Sequence, residues 1–301
     1  MYDVMIIGAG PAGLTSAIYA LRSGKSVLVL ESTAYGGQII NTPEIDNYPA
    51  LPHVSGFDFA TALYKQATSF GAEVIFEAAA AIEDHGETKT IVTTKNSRYD
   101  GKTVIIATGA KNRPMNIERE QELIGKGVSY CATCDGMFYR KKDVAVFGGG
   151  NTAVEDALFL SEYCSKVYII HRRSEFRADE KDVERLRGKE NVEFVLDSVV
   201  SGLLGEERLT AVEITDTKDG KKRTIDVSGL FVAIGQMPDN GAFSNVVKLD
   251  DKGYIEAGET CETGTPGIYT AGDCRTKTVR QLTTAVGDGA VAALSAAASC
   301  R

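Results

Sequence analysis

A chain of 301 residues, 43% hydrophobic and 25% charged, is long enough for two domains that each bury a core. Its formal net charge of -8, with no long basic run, repels phosphate backbones and argues against a nucleic-acid partner. The 31 glycines against 7 prolines point to many tight turns rather than to disorder.

The start, MYDVMIIGAG, has an acid at Asp3 where an export signal needs basic residues, and its apolar run is too short to span a bilayer. A cytoplasmic protein without a membrane partner is expected. Residues 3–7 read as a strand, GAGPAG (8–13) as a glycine turn, 14–22 as a helix and SVLVLE (26–31) as a second strand. Apolar alternation at 72–84 and 89–94, and again at 192–198 and 209–216, predicts strands of inserted sheets. From Asp143 the opening pattern returns: VAVFGGGNTA is strand then glycine turn, VEDALFLSEYC (154–164) a helix, and KVYIIH (166–171) a strand. VIIATGA (104–110) and LFVAIGQ (230–236) are buried-strand runs ending near a glycine, each expected to close one half of a repeat. A small-residue helix is expected from about Leu282 to the end, a tail able to return to the first half.

The repeat has a fixed offset. Gly8 and Gly148, Gly10 and Gly150, Gly13 and Ala153, and Glu31 and His171 are each 140 positions apart. In a strand-turn-helix unit such glycines permit a tight turn and close backbone approach to a pyrophosphate, which the helix N-terminus then binds through its unpaired N–H groups. The residue ending the next strand reads the ribose: Glu31 can accept its hydroxyls and would repel a 2'-phosphate, which suits FAD or NAD. The second unit has no acid there. HRRSEFR offers His171, Arg172, Arg173 and Arg177 instead, and guanidinium forks suit the phosphate of NADPH.

Two of the six cysteines, Cys131 and Cys134, form a Cys-x-x-Cys pair followed by Asp135. Zinc generally needs four ligands, and no second such pair or spaced histidine pair is present. A disulfide across two residues contributes little chain-entropy stabilisation but can open and reclose without disturbing a core, so a redox use is expected. A helix N-terminus near the pair would favour a thiolate, and Asp135 could move protons or simply cap a turn. Cys164, Cys261, Cys274 and Cys300 lack close partners and read as incidental thiols.

Nearly end to end, these features resemble the low-molecular-weight, NADPH-dependent thioredoxin reductases of the bacterial type. The resemblance rests on GAGPAG (8–13), GGQ (36–38), ATG (107–109), CATCDG (131–136), GGGNTA (148–153), HRRSEFRA (171–178), AGDC (271–274) and RQLTTA (280–285). It implies an α/β fold of two Rossmann-like dinucleotide-binding domains, of the class II pyridine nucleotide-disulfide oxidoreductase type, the second inserted in the first. Residues 1–112 and 240–301 would form the FAD domain and 113–239 the NADPH domain carrying the cysteines.

The implied FAD contacts are Gly8, Gly10, Pro11, Ala12, Gly13, Glu31, Gly37, Gln38, Asn47, Thr108, Gly109, Gly272, Asp273, Arg280, Gln281 and Leu282. Those to NADPH are Gly148, Gly150, Asn151, Thr152, Ala153, His171, Arg172, Arg173, Arg177, Ile234 and Gly235. By the same resemblance Cys134 faces the flavin, Cys131 attacks the thioredoxin disulfide, and Asp135 is acid and base. Electrons would run from NADPH through FAD and the cysteine pair to thioredoxin, in a homodimer whose NADPH domain rotates between tasks. Ferredoxin-dependent relatives tend to lose the second nucleotide site, which this chain keeps in GGGNTA and HRR. A peroxidase-partner flavoprotein would carry an additional N-terminal disulfide domain, and a non-catalytic redox sensor would not oxidise NADPH rapidly with thioredoxin.

Overall fold

The computed structural model describes residues 1–42 and 44–300. Residue 301, the last of the segment expected to end the FAD domain, lies outside them, as does residue 43. In chain order the first elements are β1 (Tyr2–Ile7), α1 (Pro11–Arg22), β2 (Val27–Leu30), α2 (Gly56–Ser69), β3 (Glu73–Ile75), β4 (Ala79–Asp84), β5 (Lys89–Thr93), β6 (Arg98–Ile106) and β7 (Ala110–Asn112). Then come α3 (Glu120–Leu123), β8 (Val128–Ser129), α4 (Ala132–Asp135), β9 (Asp143–Gly148), α5 (Asn151–Ser161), β10 (Lys166–Ile170), α6 (Glu180–Arg187) and β11 (Val192–Val195). The chain continues through β12 (Ser198–Leu204), β13 (Ala211–Asp216), β14 (Lys222–Asp226), β15 (Gly229–Ala233) and β16 (Gln236–Pro238), and ends with β17 (Ile268–Thr270) and α7 (Leu282–Ser299).

Two compact units result, one of residues 1–111 with 237–301, the other of 112–236. In the first, the sheet order is β3-β2-β1-β6-β5-β4, with β17 also paired to β6. Strands β1, β2, β3, β6 and β17 run parallel, and their central residues Val4–Ile7 and Val104–Ile106 are buried, as expected where helices cover both faces. In the second unit the order is β11-β10-β9-β15-β8, with parallel pairings, and β12-β13-β14 form a separate antiparallel sheet. The inserted-sheet expectation therefore holds for β13, which lies in the separate antiparallel sheet, whereas β4 and β5 extend the first unit's own sheet beyond β6. β3 and β11 are edge strands of the parallel sheets, because each pairs with the strand that follows the first helix of its unit.

The repeat seen in the sequence is physical. A Cβ on Gly8 would lie 2.3 Å from Ala107 O, and one on Gly148 would lie 2.3 Å from Ala233 O, so each glycine lets its turn press against the neighbouring strand end. The last helix returns to the first unit as expected: Ser16 Oγ donates to Gly289 O at 3.0 Å, and a Cβ on Gly289 would meet Ala12 O at 2.4 Å. Small residues let α1 and α7 approach this closely.

Gly13 is the tightest point of the first turn, where a Cβ would stand 1.8 Å from Gly8 O. The second unit tolerates Ala153 at the matching place. Gly13→Ala is expected to destabilise the protein by about 1–3 kcal/mol through overpacking against backbone that cannot move aside. Thermal unfolding with and without added flavin measures it, and an unchanged midpoint would show that the turn relaxes.

Candidate active site

At the end of β1 the chain turns through Gly8, with a φ of 108° that only glycine adopts readily, and enters α1 with Gly10 at the N-cap and Pro11 in the first turn. No side chain caps α1, so its first N–H groups point outward unsatisfied by the protein. Gly37 packs against the same turn, a Cβ on it lying 3.2 Å from Gly10 Cα. Glu31 does more than the sequence suggests: Oε2 accepts Ala9 N–H at 2.8 Å while Oε1 accepts Thr33 N–H at 3.0 Å. Its carboxylate thus braces the turn and still has lone pairs for a ribose hydroxyl.

The other expected FAD residues fall in the same unit. Thr108 Oγ1 donates to Asn240 Oδ1 at 2.8 Å, and Asn47 Nδ2 donates to Gln281 Oε1 at 3.2 Å. Gln281 is the N-cap of α7, closed by a capping box with Thr284, and Leu282 is the first residue of that helix. Asp273 is held by a short turn, Gly272–Cys274, and its Oδ1 is buried with no hydrogen-bond partner. Burial pushes this carboxyl up, against the opposing pull of Lys277 and Arg280. Cys274, next to it, is fully buried, and burial raises its thiol, so it is an inert packing residue.

In the second unit Gly148 ends β9, Gly150 is the N-cap of α5 without a side-chain cap, and Asn151, Thr152 and Ala153 form its first turn. Ile234 and Gly235 follow β15 beside that turn's own glycine, Gly148, through the Gly148–Ala233 contact. The basic loop is tied to the glycine turn: Arg177 N–H donates to Gly149 O at 2.8 Å and Asp179 N–H to Asn151 Oδ1 at 3.1 Å. Arg172, Arg173 and Arg177 are exposed, and among the described residues none of them is paired with a carboxylate. His171 differs from the arginines. Its ring is buried against Gly149, stacks on Phe176 at 5.2 Å and has Nε2 3.1 Å from Glu175 O. Burial holds its pKa below the usual range, so it shapes the loop as a neutral ring.

Cys131 and Cys134 are joined as a disulfide, with Cys131 at the N-cap of α4. Behind them Ser129 Oγ donates to Asp135 Oδ2 at 2.6 Å and accepts Cys131 N–H at 3.1 Å. Asp135 Oδ1 is buried without a partner. Burial raises this carboxyl above the usual range, and the Ser129 hydrogen bond only partly opposes it. Once reduced to a dithiol, a cysteine pair beside a carboxyl that readily carries a proton can pass electrons and protons to another disulfide. Sequence reasoning overlooked Ser129, although it stands two residues before Cys131; its hydroxyl geometry has no sequence signal.

A family model described as pyridine nucleotide-disulphide oxidoreductase matches residues 2–289. The chain belongs to that family. It is 41% identical to the thioredoxin reductase of Listeria monocytogenes serovar 1/2a over 98% of this chain and 93% of the relative. The crystal structure of thioredoxin reductase from Streptococcus pyogenes superposes with a TM-score of 0.95 at 41% identity, covering 99% of this chain and 98% of that one. Thioredoxin reductase from Giardia duodenalis gives a TM-score of 0.93 at 34% identity, covering 98% and 97%.

A pyridine nucleotide-disulphide oxidoreductase works with a flavin and a pyridine nucleotide, and the residues present fit both. The unpartnered Asp273 Oδ1 is an acceptor that a cofactor hydroxyl would satisfy, which fits a buried group otherwise costly to leave unpaired. The uncapped α1 and α5 N-termini and the close-packed turns at Gly8 and Gly148 each leave backbone N–H groups for a pyrophosphate.

Proposed function

We propose that the chain is a thioredoxin-disulfide reductase using FAD in the first unit and NADPH in the second. The observation that carries this reading is the Cys131–Cys134 disulfide set beside the buried, half-partnered Asp135. Its relatives' shared name, thioredoxin reductase, supports the choice of substrate. Gly8–Gly13, Glu31 and Asp273 would hold FAD; Gly148–Ala153 with Arg172, Arg173 and Arg177 would hold NADPH. When bound, the flavin supplies a two-electron link between the nicotinamide hydride and a disulfide.

The protein's own part is thiol exchange. In the dithiol form one sulfur of the pair, assigned as Cys131 at the helix N-cap, attacks the thioredoxin disulfide and the leaving thioredoxin sulfur takes a proton. The second cysteine then loses its proton and attacks the mixed disulfide, forming the enzyme disulfide and releasing the second thioredoxin sulfur, which takes up a proton, so the enzyme dithiol is oxidised as the thioredoxin disulfide is reduced. Asp135 gives its proton to the leaving thioredoxin sulfur and regains one as the second cysteine is deprotonated, while Ser129 fixes the carboxyl and the Cys131 amide together. The reading includes a cytoplasmic homodimer, which sedimentation of the purified protein tests in part. Among the described residues no helix is long and apolar enough to cross a membrane.

The deciding experiment is reduction of thioredoxin by purified protein loaded with FAD, with NADPH against NADH; NADPH oxidation that does not depend on thioredoxin would overturn the reading. Asp135→Asn is expected to slow turnover about 10²-fold, the usual contribution of a positioned acid or base. Because burial raises this carboxyl, its proton persists to higher pH than an ordinary aspartic acid allows. Wild-type turnover should therefore fall as pH rises through that shifted value, and the Asn variant should lose this limb of the profile.

A further inference from the structure

The loop between β17 and α7 carries more positive charge than its fold requires. Arg275 and Lys277 have side chains only 6% and 8% exposed, and Arg280 follows three residues later. Asp288, reaching back from α7, accepts four hydrogen bonds. These come from Gly272 N–H at 3.0 Å, Arg275 Nε and Nη2 at 2.8 Å each, and Lys277 Nζ at 2.8 Å. Arg280 binds the loop from its other side, donating to Asp273 O at 3.2 Å and to Lys277 O and Arg275 O at 3.1 Å, with its guanidinium 4.0 Å from the Tyr254 ring centroid.

The bidentate Arg275–Asp288 pair and the Gly272 bond already anchor the loop. A second buried cation on the same carboxylate adds a desolvation cost that geometry alone does not call for. Besides Asp288, its charge acts on Asp273, whose Oδ1 is buried and unpartnered. The groups facing Asp273 are Lys277 and Arg280, which favour its charged form, Asp288, which opposes it, and Tyr254 and Cys274, both kept neutral by burial.

Resting on the assignment of the first unit as the flavin site, we propose that Lys277 is a positioning residue for the flavin. Through Asp288 it helps set the loop, and its charge favours Asp273 as the carboxylate that accepts a hydroxyl of the cofactor's polyol chain.

Flavin-free protein titrated with FAD between pH 5 and 8, with quenching of flavin fluorescence as the readout, tests this. Binding that needs the carboxylate is lost as pH falls through the Asp273 value, and removing Lys277 raises that value. Lys277→Met should therefore weaken FAD binding about tenfold on the acid side and move the loss to higher pH by about one unit. Lys277→Arg should restore the wild-type profile, and Asp273→Asn should weaken binding at every pH and abolish the limb. Thermal unfolding of the flavin-free forms separates structure from positioning. A Lys277→Met profile with the wild-type midpoint, or an affinity loss that only tracks lost stability, overturns the proposal while leaving the flavin site in place. Wild-type protein that binds no FAD overturns both.

Discussion

Cys131→Ser and Cys134→Ser are each expected to lower thioredoxin turnover by on the order of 10³-fold or more, because neither sulfur can complete the exchange alone. The two positions form one disulfide, with Cys131 at the N-cap of α4, and no other cysteine can substitute: Cys164, Cys261, Cys274 and Cys300 are buried. The variants also separate the roles of the two sulfurs. A single remaining thiol can attack thioredoxin but cannot resolve the mixed disulfide, so the attacking residue is the one that accumulates a covalent adduct. Adduct in Cys134→Ser makes Cys131 the attacker, as assigned; adduct in Cys131→Ser reverses the assignment without changing the chemistry. Substantial thioredoxin turnover by either variant would contradict the electron path itself. The measurement is NADPH oxidation with thioredoxin, followed by non-reducing electrophoresis.

The second large effect is on coenzyme choice. Arg172 and Arg173 are exposed and unpaired among the described residues, on a loop whose backbone is tied to the Gly148–Gly150 turn at Gly149. A hydrogen bond to a charged group contributes about 1.5–3 kcal/mol. Replacing both arginines by alanine is therefore expected to lower kcat/KM for NADPH about 10³-fold while leaving the smaller NADH rate nearly unchanged. The wild-type NADPH value should fall with added salt, and the variant's should not, because exposed charges are screened. Equal losses with both coenzymes would mean that the loop was disrupted rather than a phosphate contact removed. His171→Asn serves as a contrast, since the buried neutral ring packs under Gly149 and its loss should act through loop order on both coenzymes.

Much of this arrangement was legible from local sequence. Gly8 and Gly13 announce a turn that admits no side chain, and the 140-residue offset to Gly148 and Ala153 announces that the turn occurs twice. The contrast between Glu31 and the His171-Arg172-Arg173 run at the matching place separates an acidic from a cationic lining, because charge acts whatever the surrounding geometry. Other features were not legible. β3 and β11 were read with the inserted strands since an alternating apolar run looks the same at the edge of a parallel sheet as in a hairpin. Helix α2 went unread because it has few buried positions, Phe59, Ala60 and Ala67 among them.

What the amino-acid order determined by itself is the chemistry available: a Cys-x-x-Cys pair with an acid, two glycine turns and one cationic loop, each formed by residues within a few positions of one another. Only the tertiary structure decided which groups are left without partners. Sheet order brings Asp288 under Gly272 and Arg275, and places Ser129 behind both Cys131 and Asp135. It also buries Asp135 Oδ1 and Asp273 Oδ1 away from any donor. The physical reason is that the cost of desolvating a carboxylate depends on everything packed around it, and those neighbours come from strands and helices far apart in the chain.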